Sequence, residues 1–187
     1  VDNKIISNSS LLVINAISGF TGGGKKIIEF FSKNEKDKFY HYSTFLNHKH
    51  NQEIKHYSLL DKSPVFCPSV GSFPQGMAVS VPLHYDWFSS NAKGKDIFEL
   101  FKDNYTSEPL FTINALNSKD HLADNGFLSP EVLIGTNFID ISIFSNDQSG
   151  QIWLISRLDN LGKGASGAAL QNMNLRFGFD ENLGVRL

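Results

Sequence analysis

The 187-residue sequence has a single cysteine, Cys67, and therefore cannot form an internal disulfide. It also lacks an excess of charge of either sign, because 17 basic and 19 acidic residues leave a net charge of −2. The lysines are scattered rather than striped, so no electrostatic field would gather a nucleic acid or an anionic membrane. The sequence therefore predicts no polyanionic partner.

Long apolar runs are missing as well. No stretch approaches the roughly 20 residues that a membrane helix needs, and the first residues lack the layout of a signal peptide. We therefore expect no membrane association and a cytoplasmic location. A hydrophobic share of 41% suffices for one sizeable core, so residues 1–187 are expected to fold as one domain.

The order of predicted elements favours an α+β fold. Strands are predicted over residues 11–17, 39–46, 65–67, 77–83, 110–116, 138–144 and 151–158, and helices over residues 25–32, 51–60, 95–105 and 164–177. Asn51 is the predicted cap of the second helix. Residues 33–38 are predicted to form a charged linker, residues 68–76 a long loop and residues 147–150 a hairpin turn. Because the last strands adjoin as hairpins, we expect a mixed, largely antiparallel sheet.

A glycine-rich loop follows the first predicted strand. Gly19 and Gly24 have four residues between them and Lys25 follows, which is the spacing of a nucleotide phosphate loop. Lys26 stands where that motif requires the hydroxyl that ligates Mg²⁺, which argues against an NTPase. What remains is a set of backbone N–H groups at a helix N-terminus beside two lysines, which suits an anion. The alternative is a tight turn without a ligand.

His48, His50 and Glu53 place two imidazoles and a carboxylate within six residues. Imidazole changes its protonation near neutral pH, so the cluster offers a general acid or base, and Glu53 could orient either ring. A metal site and ordinary solvated histidines are the alternatives. Cys67 has no basic sequence neighbour that would activate it, so we interpret it as an unreactive thiol.

A second glycine-rich segment, residues 159–167, follows the last strand and opens the last helix. This arrangement presents backbone amides to a phosphate or a cofactor, and close packing of the helix is the alternative. No glycine fingerprint of a dinucleotide-binding unit opens the sequence. We therefore expect that these residues do not include a cofactor domain.

Three segments in this order, residues 15–25, 48–54 and 159–174, resemble the N-acetyl-gamma-glutamyl-phosphate reductase family of semialdehyde dehydrogenases. The last of them, Asp-Asn-Leu-Gly-Lys-Gly-Ala-Ser-Gly-Ala-Ala-Leu-Gln-Asn-Met-Asn, is the most specific. The resemblance implies a glyceraldehyde-3-phosphate dehydrogenase C-terminal-like domain, an open mixed sheet with helices on one face that mediates oligomer contacts. Residues 1–187 would be the substrate-binding and dimerisation domain of a homodimer or homotetramer. Residues 161–187 would be a C-terminal helix packed on an absent NADP-binding domain.

The resemblance also implies an activity, the NADPH-dependent reduction of an acyl phosphate, N-acetyl-gamma-glutamyl phosphate, to N-acetylglutamate semialdehyde in arginine biosynthesis. In the family this reaction passes through a thioester on the cysteine of an Asn-Pro-Gly-Cys-Tyr-Pro motif. That motif lies shortly upstream of the segment matching Val1 and is absent here. The chain by itself is therefore expected to be inactive.

By position, the resemblance implies that His48 transfers the proton. It implies no metal, NADP contacts at Asn160, Gly162, Lys163 and Gly164, and substrate binding by Ser18, Gly19, Gly22, Gly23, Lys25, His50 and Glu53. The sequence departs from the family pattern at Ser43, where glycine is usual, and at Gln52, where proline is usual. Pro74 stands where arginine often precedes Gln75 and Gly76, which would remove one contact to a substrate anion.

Two other hypotheses remain at this point. The absent cofactor domain suggests a binding or assembly module that keeps the anion loop but has no catalytic partner. The histidine and carboxylate cluster suggests a metal protein, which would contain stoichiometric zinc or iron.

Overall fold

The computed structural model describes residues 3–34 and 38–187. Its strands and helices are β1 (Val13–Gly19), α1 (Lys25–Lys33), β2 (Phe39–His41), α2 (His50–Ser58), β3 (Val65–Gly71), β4 (Met77–His84), α3 (Gly94–Tyr105), β5 (Phe111–Ile113), β6 (Ile139–Asn146), β7 (Gln151–Leu158) and α4 (Gly167–Phe177). A 3₁₀ turn, Phe20–Gly23, follows β1, and a π-helical turn, Gly162–Ser166, precedes α4.

Across the described residues, the strands form one seven-stranded sheet in the order β2-β3-β1-β4-β7-β6-β5. β1 runs parallel to β3 and β5 runs parallel to β6, whereas the other neighbours are antiparallel. The predicted α+β fold with a mixed, largely antiparallel sheet is confirmed. The hairpin between β6 and β7 also lies where its turn was predicted.

One face of the sheet carries the apolar core, because side chains alternate along each strand. On β1 and β3, Ile14, Ala16 and Phe66 pack with Ile54 of α2. On the other half of the sheet, Ile97 of α3 packs against Leu83, Ile141, Ile143 and Ile152. Val81 of β4 contacts both groups. The helices α2 and α3 therefore lie on the same face, as expected.

The opposite face buries an ion pair. Arg157 and Asp140 are directly paired across β7 and β6 and are 1% and 6% exposed. The Arg157 guanidinium donates to both carboxylate oxygens of Asp140, at 2.5 to 3.1 Å, and to the backbone carbonyl of Ser129 at 3.0 Å. The pair therefore fastens the long irregular segment 114–138 onto this face of the sheet.

The predicted strand over residues 39–46 is wrong beyond His41. Ser43 and Leu46 have φ of 50° and 58°, and the Leu46 amide donates to the Ser43 carbonyl, which closes a turn. Left-handed backbone of this kind ends an extended strand. The position where the family usually has glycine is therefore one that favours glycine.

The predicted cap of the second helix is also wrong. α2 begins at His50, and Asn51 lies inside it with its side-chain amide donating to the Leu46 carbonyl. The predicted loop 68–76 is shorter, because β3 continues to Gly71. The Pro68 carbonyl accepts from Tyr42, so the missing proline N–H faces the edge of β3 beyond the end of β2. A proline is tolerated in a strand at such an unpaired site.

The charged linker predicted over residues 33–38 includes 35–37, which lie outside the described residues, as do residues 1 and 2 of the predicted domain. Among the residues described, no helix has the length and apolar character needed to cross a membrane.

Replacing Asp140 by alanine should lower the free energy of unfolding by about 3–5 kcal/mol, because the buried Arg157 would lose its counter-charge. Urea unfolding followed by circular dichroism would measure the change. Asp86→Ala is the matched control, since the Asp86 carboxylate is 85% exposed in its pair with His84 and should contribute little. Equal stability of the two variants would contradict a structural role for the buried pair.

Candidate functional site

Four loops meet at one end of the sheet. β1 and β3 run parallel and end there at Gly19 and Gly71, and β7 ends there at Leu158, which pairs with both Met77 and Ile139. The glycine loop after β1, the loop between β3 and β4, the segment before β6 and the segment after β7 are consequently neighbours. Both glycine-rich segments singled out in the sequence belong to this group.

The glycine loop is packed tightly on the loop between β3 and β4. A β-carbon at Gly19 would lie 2.5 Å from the Pro74 carbonyl oxygen and the Gln75 nitrogen, so no side chain fits there. The amides of Gly19, Phe20 and Thr21 donate to the carbonyls of Gly76, Phe73 and Pro74, at 2.9 to 3.1 Å. The Thr21 hydroxyl also donates to the Pro74 carbonyl. Pro74 thus contributes its backbone where the family often has an arginine side chain.

The hydrogen bonds of the glycine loop limit where the predicted anion could bind. The amides of Gly19 to Thr21 are occupied, and the Gly24 amide donates to the Thr21 carbonyl. The amides of Lys25 and Lys26 start α1 and have no intrahelical acceptor by helix geometry. An anion at this loop would therefore meet the start of α1 and its two lysines rather than the whole glycine run.

Asp159 fastens these loops together. It is 1% exposed, and its carboxylate accepts from the Gln75 side chain at 2.6 Å and from the amides of Gly135 and Leu161, both at 2.8 Å. Burial alone would raise the pKa of Asp159, but these donors and the Gly162 amide together hold it below its usual value. Asp159 is therefore a buried carboxylate ion that connects three chain segments.

Asn160 joins the two glycine-rich segments. Its Oδ1 accepts from the Gly76 amide at 2.8 Å, whereas its Nδ2 is buried without a hydrogen-bond partner among the described residues. A β-carbon on Gly22 would lie 2.9 Å from that Nδ2. The structure thus brings a residue predicted to bind cofactor against a residue predicted to bind substrate. A buried amide without a partner is costly, so this donor suits a ligand.

Gly162, Lys163 and Gly164, which were also predicted to bind cofactor, do not share the contacts of Asn160. A β-carbon on Gly162 would lie 2.6 Å from the Thr136 carbonyl oxygen, and the Gly164 amide donates to the Asp159 carbonyl. The Lys163 ammonium donates to Gln171 at 2.6 Å and lies over the Phe111 ring, and burial lowers the pKa of Lys163. Its charge therefore faces α4 and β5.

A cavity of about 420 Å³ is lined in part by Asp159. Its lining includes Gln75, Asn137, Gly162, Gly167 and Arg186. A β-carbon on Gly167 would lie 1.8 Å from Oδ1 of Asn137, so the start of α4 needs glycine in order to approach β6. Of these lining residues, Gly162 was predicted to bind cofactor and Gly167 ends the second glycine-rich segment, whereas Asn137 and Arg186 were given no role.

The histidine cluster lies elsewhere on the sheet. The His48 ring packs against Phe66 of β3, with 5.0 Å between ring centroids, and against Tyr42 at 5.6 Å. Phe66 and Gly71 are five residues apart on β3, about 16 Å along an extended strand. Ser18, near the end of β1, and Lys25, the first residue of α1, flank the glycine loop, so the predicted substrate residues fall into two groups.

Within the cluster, the three predicted side chains are close together. The ring centroids of His48 and His50 are 4.8 Å apart, and Nδ1 of His50 is 2.5 Å from a carboxylate oxygen of Glu53. Burial, His50 and Lys49 lower the pKa of His48 in that order. The hydrogen bond from His50 lowers the pKa of Glu53. Glu53 thus orients His50, while His48 is held towards its neutral form.

Among residues 3–34 and 38–187, no three histidine, cysteine, aspartate or glutamate side chains are grouped closely enough to hold a metal ion. The carboxylate of Glu53 is already engaged by His50.

Sequence reasoning did not assign roles to Asp159, Gln75 or Gly135. The only sequence signals were the position of Asp159 at the end of a strand before a glycine segment and the Gln75-Gly76 pair between two strands. Neither signal shows that these residues touch, because they are separated by up to 84 positions.

Comparisons with known proteins agree on the domain type. Residues 1–160 match the family model described as semialdehyde dehydrogenase, dimerisation domain. The chain is 37% identical over 189 residues to an N-acetyl-gamma-glutamyl-phosphate reductase of Trichormus variabilis, covering 97% of this chain and 59% of the relative. A protein of the same name from Allorhizobium ampelinum is 39% identical over 167 residues, covering 87% of this chain and 53% of the relative. The chain thus spans little more than half the length of these relatives.

Solved structures agree on the fold. Aspartate semialdehyde dehydrogenase II from Vibrio cholerae, in complex with ASA, superposes with a TM-score of 0.55 at 13% identity, over 90% of this chain and 56% of that one. Aspartate semialdehyde dehydrogenase from Francisella tularensis superposes with a TM-score of 0.52 at 11% identity, over 88% and 56%. At such low identity the likeness shows the fold alone.

Replacing Asp159 by asparagine should lower the free energy of unfolding by about 2–4 kcal/mol at neutral pH, because amide hydrogens would face N–H donors. The folded-state pKa of Asp159 is depressed, so its stabilising effect is present above the ordinary aspartate pKa and is lost as pH falls through the folded value. Urea unfolding at neutral and acidic pH should show the difference between wild type and Asp159→Asn shrinking in acid. The exposed control, Asp86→Asn, should not lower the free energy of unfolding at neutral pH. If the stability difference between wild type and Asp159→Asn did not change with pH, Asp159 would not be an ionised carboxylate in the folded protein.

Proposed function

Because residues 1–160 match its model, the chain belongs to the semialdehyde dehydrogenase dimerisation-domain family, and we propose that it is the substrate-binding part of an N-acetyl-gamma-glutamyl-phosphate reductase. The name comes from relatives that are 37 to 39% identical over most of this chain. The observation that carries the proposal is the contact between Asn160 and Gly22, because it unites the two glycine-rich segments into one site.

The proposed reaction converts an acyl phosphate into an aldehyde. A thiolate from a cysteine outside this chain attacks the acyl carbon and releases phosphate, which leaves a thioester. When bound, NADPH supplies the hydride that reduces the thioester carbon. The C–S bond then breaks, the thiolate is regenerated and N-acetylglutamate semialdehyde leaves. Residues of this chain bind the substrate anions and act at the acyl oxygen.

In this proposal the phosphate or carboxylate groups of the substrate bind at the start of α1, next to Lys25, while Ser18, Gly19, Gly22 and Gly23 form the loop that leads to it. The support is the start of α1, where the amides of Lys25 and Lys26 have no intrahelical acceptor and both residues directly follow the glycine loop. At the other end of the site, His50 and Glu53 position the substrate. His48 transfers the proton at the acyl oxygen. Their hydrogen bond and ring contacts support a common role.

The nicotinamide cofactor would contact Asn160, Gly162, Lys163 and Gly164. The residues fit such a group in two respects, because the buried Asn160 Nδ2 has no partner among the described residues and Gly162 adjoins an open cavity. The bond from Lys163 to Gln171 turns its ammonium away from Asn160, so Lys163 would act by shaping the turn.

Residues 161–187 would pack on a cofactor-binding domain. The family model ends at residue 160, and the segment beyond it exposes large apolar side chains that are 54 to 69% accessible, namely Leu175, Phe177, Phe179, Leu183 and Leu187. A surface of this kind is typical of an interface. We also propose that the protein is a homodimer or homotetramer, since the family description names a dimerisation domain, and that it is cytoplasmic.

The first test is phosphate-dependent oxidation of N-acetylglutamate semialdehyde with NADP, followed by the absorbance of NADPH. It compares this 187-residue chain with a version extended upstream in its own reading frame through the expected cysteine motif. We expect activity only in the extended protein. An extended protein without activity would reject the proposed reaction and favour the binding-module hypothesis.

A second test replaces His48 by alanine in the extended protein. The rate should fall by about 10²–10⁴-fold, the usual effect of losing an acid–base group, while NADPH affinity stays nearly unchanged. His56→Ala is the matched control, because His56 is an exposed histidine of α2, the helix that follows His48. An unchanged rate in His48→Ala would transfer the role to His50.

A further inference from the structure

We propose that Gln171 is a positioning residue for the nicotinamide cofactor, because its side-chain amide holds the turn Gly162–Ser166 and the C-terminal segment 178–187 in place around the cavity beside Gly162. The inference rests on the proposed function, which assigns this turn to the cofactor. Gln171 is 5% exposed and lies on α4 directly after Leu170, which lines the cavity. It is therefore a buried neighbour of the cavity wall.

The Gln171 side chain is bonded to three separate parts of the chain. Its Oε1 accepts from Nδ2 of Asn137 at 2.5 Å and from the Lys163 ammonium at 2.6 Å. Its Nε2 donates to a carboxylate oxygen of Glu181 at 2.7 Å. A carboxamide oxygen has two lone pairs, so these two donors use its full accepting capacity. One buried amide thus joins the segment before β6, the turn before α4 and the C-terminal segment.

The turn Gly162–Ser166 is fixed from two sides. On one side, the Gly164 amide donates to the Asp159 carbonyl at 2.8 Å. On the other side, the Lys163 ammonium is bonded to the oxygen of Gln171. The turn is π-helical, a conformation that is rare and that occurs frequently at functional sites. Loss of the Gln171 oxygen would release the Lys163 side of the turn.

The C-terminal segment 178–187 is held against the same helix. Asn174 of α4 is 1% exposed, and its Nδ2 donates to the carbonyls of Glu181 and Leu183, at 3.0 and 2.9 Å. Glu181 therefore accepts hydrogen bonds from α4 through both its backbone and its side chain. The segment lines the cavity through residues 184–186. The bonds to α4 consequently fix this wall as well.

Ordering of the turn translates into affinity. A ligand that binds only the ordered turn loses affinity in proportion to the fraction of molecules in which the turn is disordered. Gln171 increases the ordered fraction through its contacts with protein groups. Its removal should therefore weaken cofactor binding and leave the chemical step unchanged.

Gln171→Leu tests this role, because leucine is apolar and cannot make any of the three hydrogen bonds. In the extended protein, the Kd of NADPH, followed by its fluorescence, and the KM for NADP should rise about tenfold, the usual effect of losing one net hydrogen bond. The kcat at saturating NADP and the KM for N-acetylglutamate semialdehyde should stay near wild type. Gln148→Leu is the matched control, since Gln148 is an exposed glutamine between β6 and β7. A lower kcat with unchanged NADPH affinity would contradict a positioning role.

The double variant Gln171→Glu with Glu181→Gln exchanges the two side chains. The carboxylate at position 171 can accept from Asn137 and Lys163, and the amide at position 181 can donate to it, so every bond can be remade. NADPH affinity should return close to wild type, whereas Gln171→Glu alone opposes two carboxylates and should bind NADPH more weakly. This pair of variants tests the contacts even if Gln171→Leu does not fold. Equal affinities of the single and the double variant would overturn the proposal.

Hydrogen exchange of the ligand-free protein separates the turn from the reaction. The Gly164 amide should exchange about tenfold faster in Gln171→Leu, or in Gln171→Glu, than in wild type, whereas amides in the centre of β7 should not change. An unchanged Gly164 amide would overturn the role of Gln171 whatever the kinetics. An extended wild type that neither binds NADPH nor turns over would reject the proposed function, whereas an active wild type with unaltered NADPH affinity in the variants would reject only the role of Gln171.

Discussion

A buried carboxylate remains ionised only while N–H donors surround it, and the end of the sheet that carries the candidate site depends on that constraint at Asp159. Its donors come from the loop between β3 and β4, from the segment before β6 and from the turn after β7. Each donor fixes the position of its loop relative to the end of β7. Asn160, the next residue, is thereby placed against Gly76 and Gly22. The geometry of the glycine-rich part of the site therefore follows from satisfying one charge.

The candidate site has two parts with different physical characters. The glycine loops provide backbone amides, lysines and one unpaired amide donor at the end of the sheet. The histidine cluster, on the face of β3, provides a ring whose pKa is lowered by burial and by His50 and Lys49. Both parts lie at helix N-termini, the glycine loop before α1 and His48 before α2. A substrate with an anionic group and a reacting carbonyl would need both.

Strands with strong local signals were predictable. β7 is correct at both ends, because alternating apolar residues are bounded by a hairpin turn and by a glycine segment. β2 was overextended, since the aromatic residues that favour a strand continue past Ser43, where the backbone turns left-handed. The cap of α2 was misplaced because a histidine ring, rather than the asparagine side chain, accepts at the helix start. In each error, another short-range hydrogen bond, from Leu46 to Ser43 or from His50 to His48, outweighed the preference of the residue type.

The sequence by itself determined the kinds of residues available, the order of most elements and the resemblance from which the family could be expected. Those properties depend on local pattern and on residue identity, which are written along the chain. Only the tertiary structure decided that Asp159 connects Gln75 to Gly135, that Asn160 meets Gly22 and that His48 lies on Phe66 instead of on the glycine loop. These contacts depend on strand order and register, which bring together residues up to 84 positions apart and which no local preference encodes.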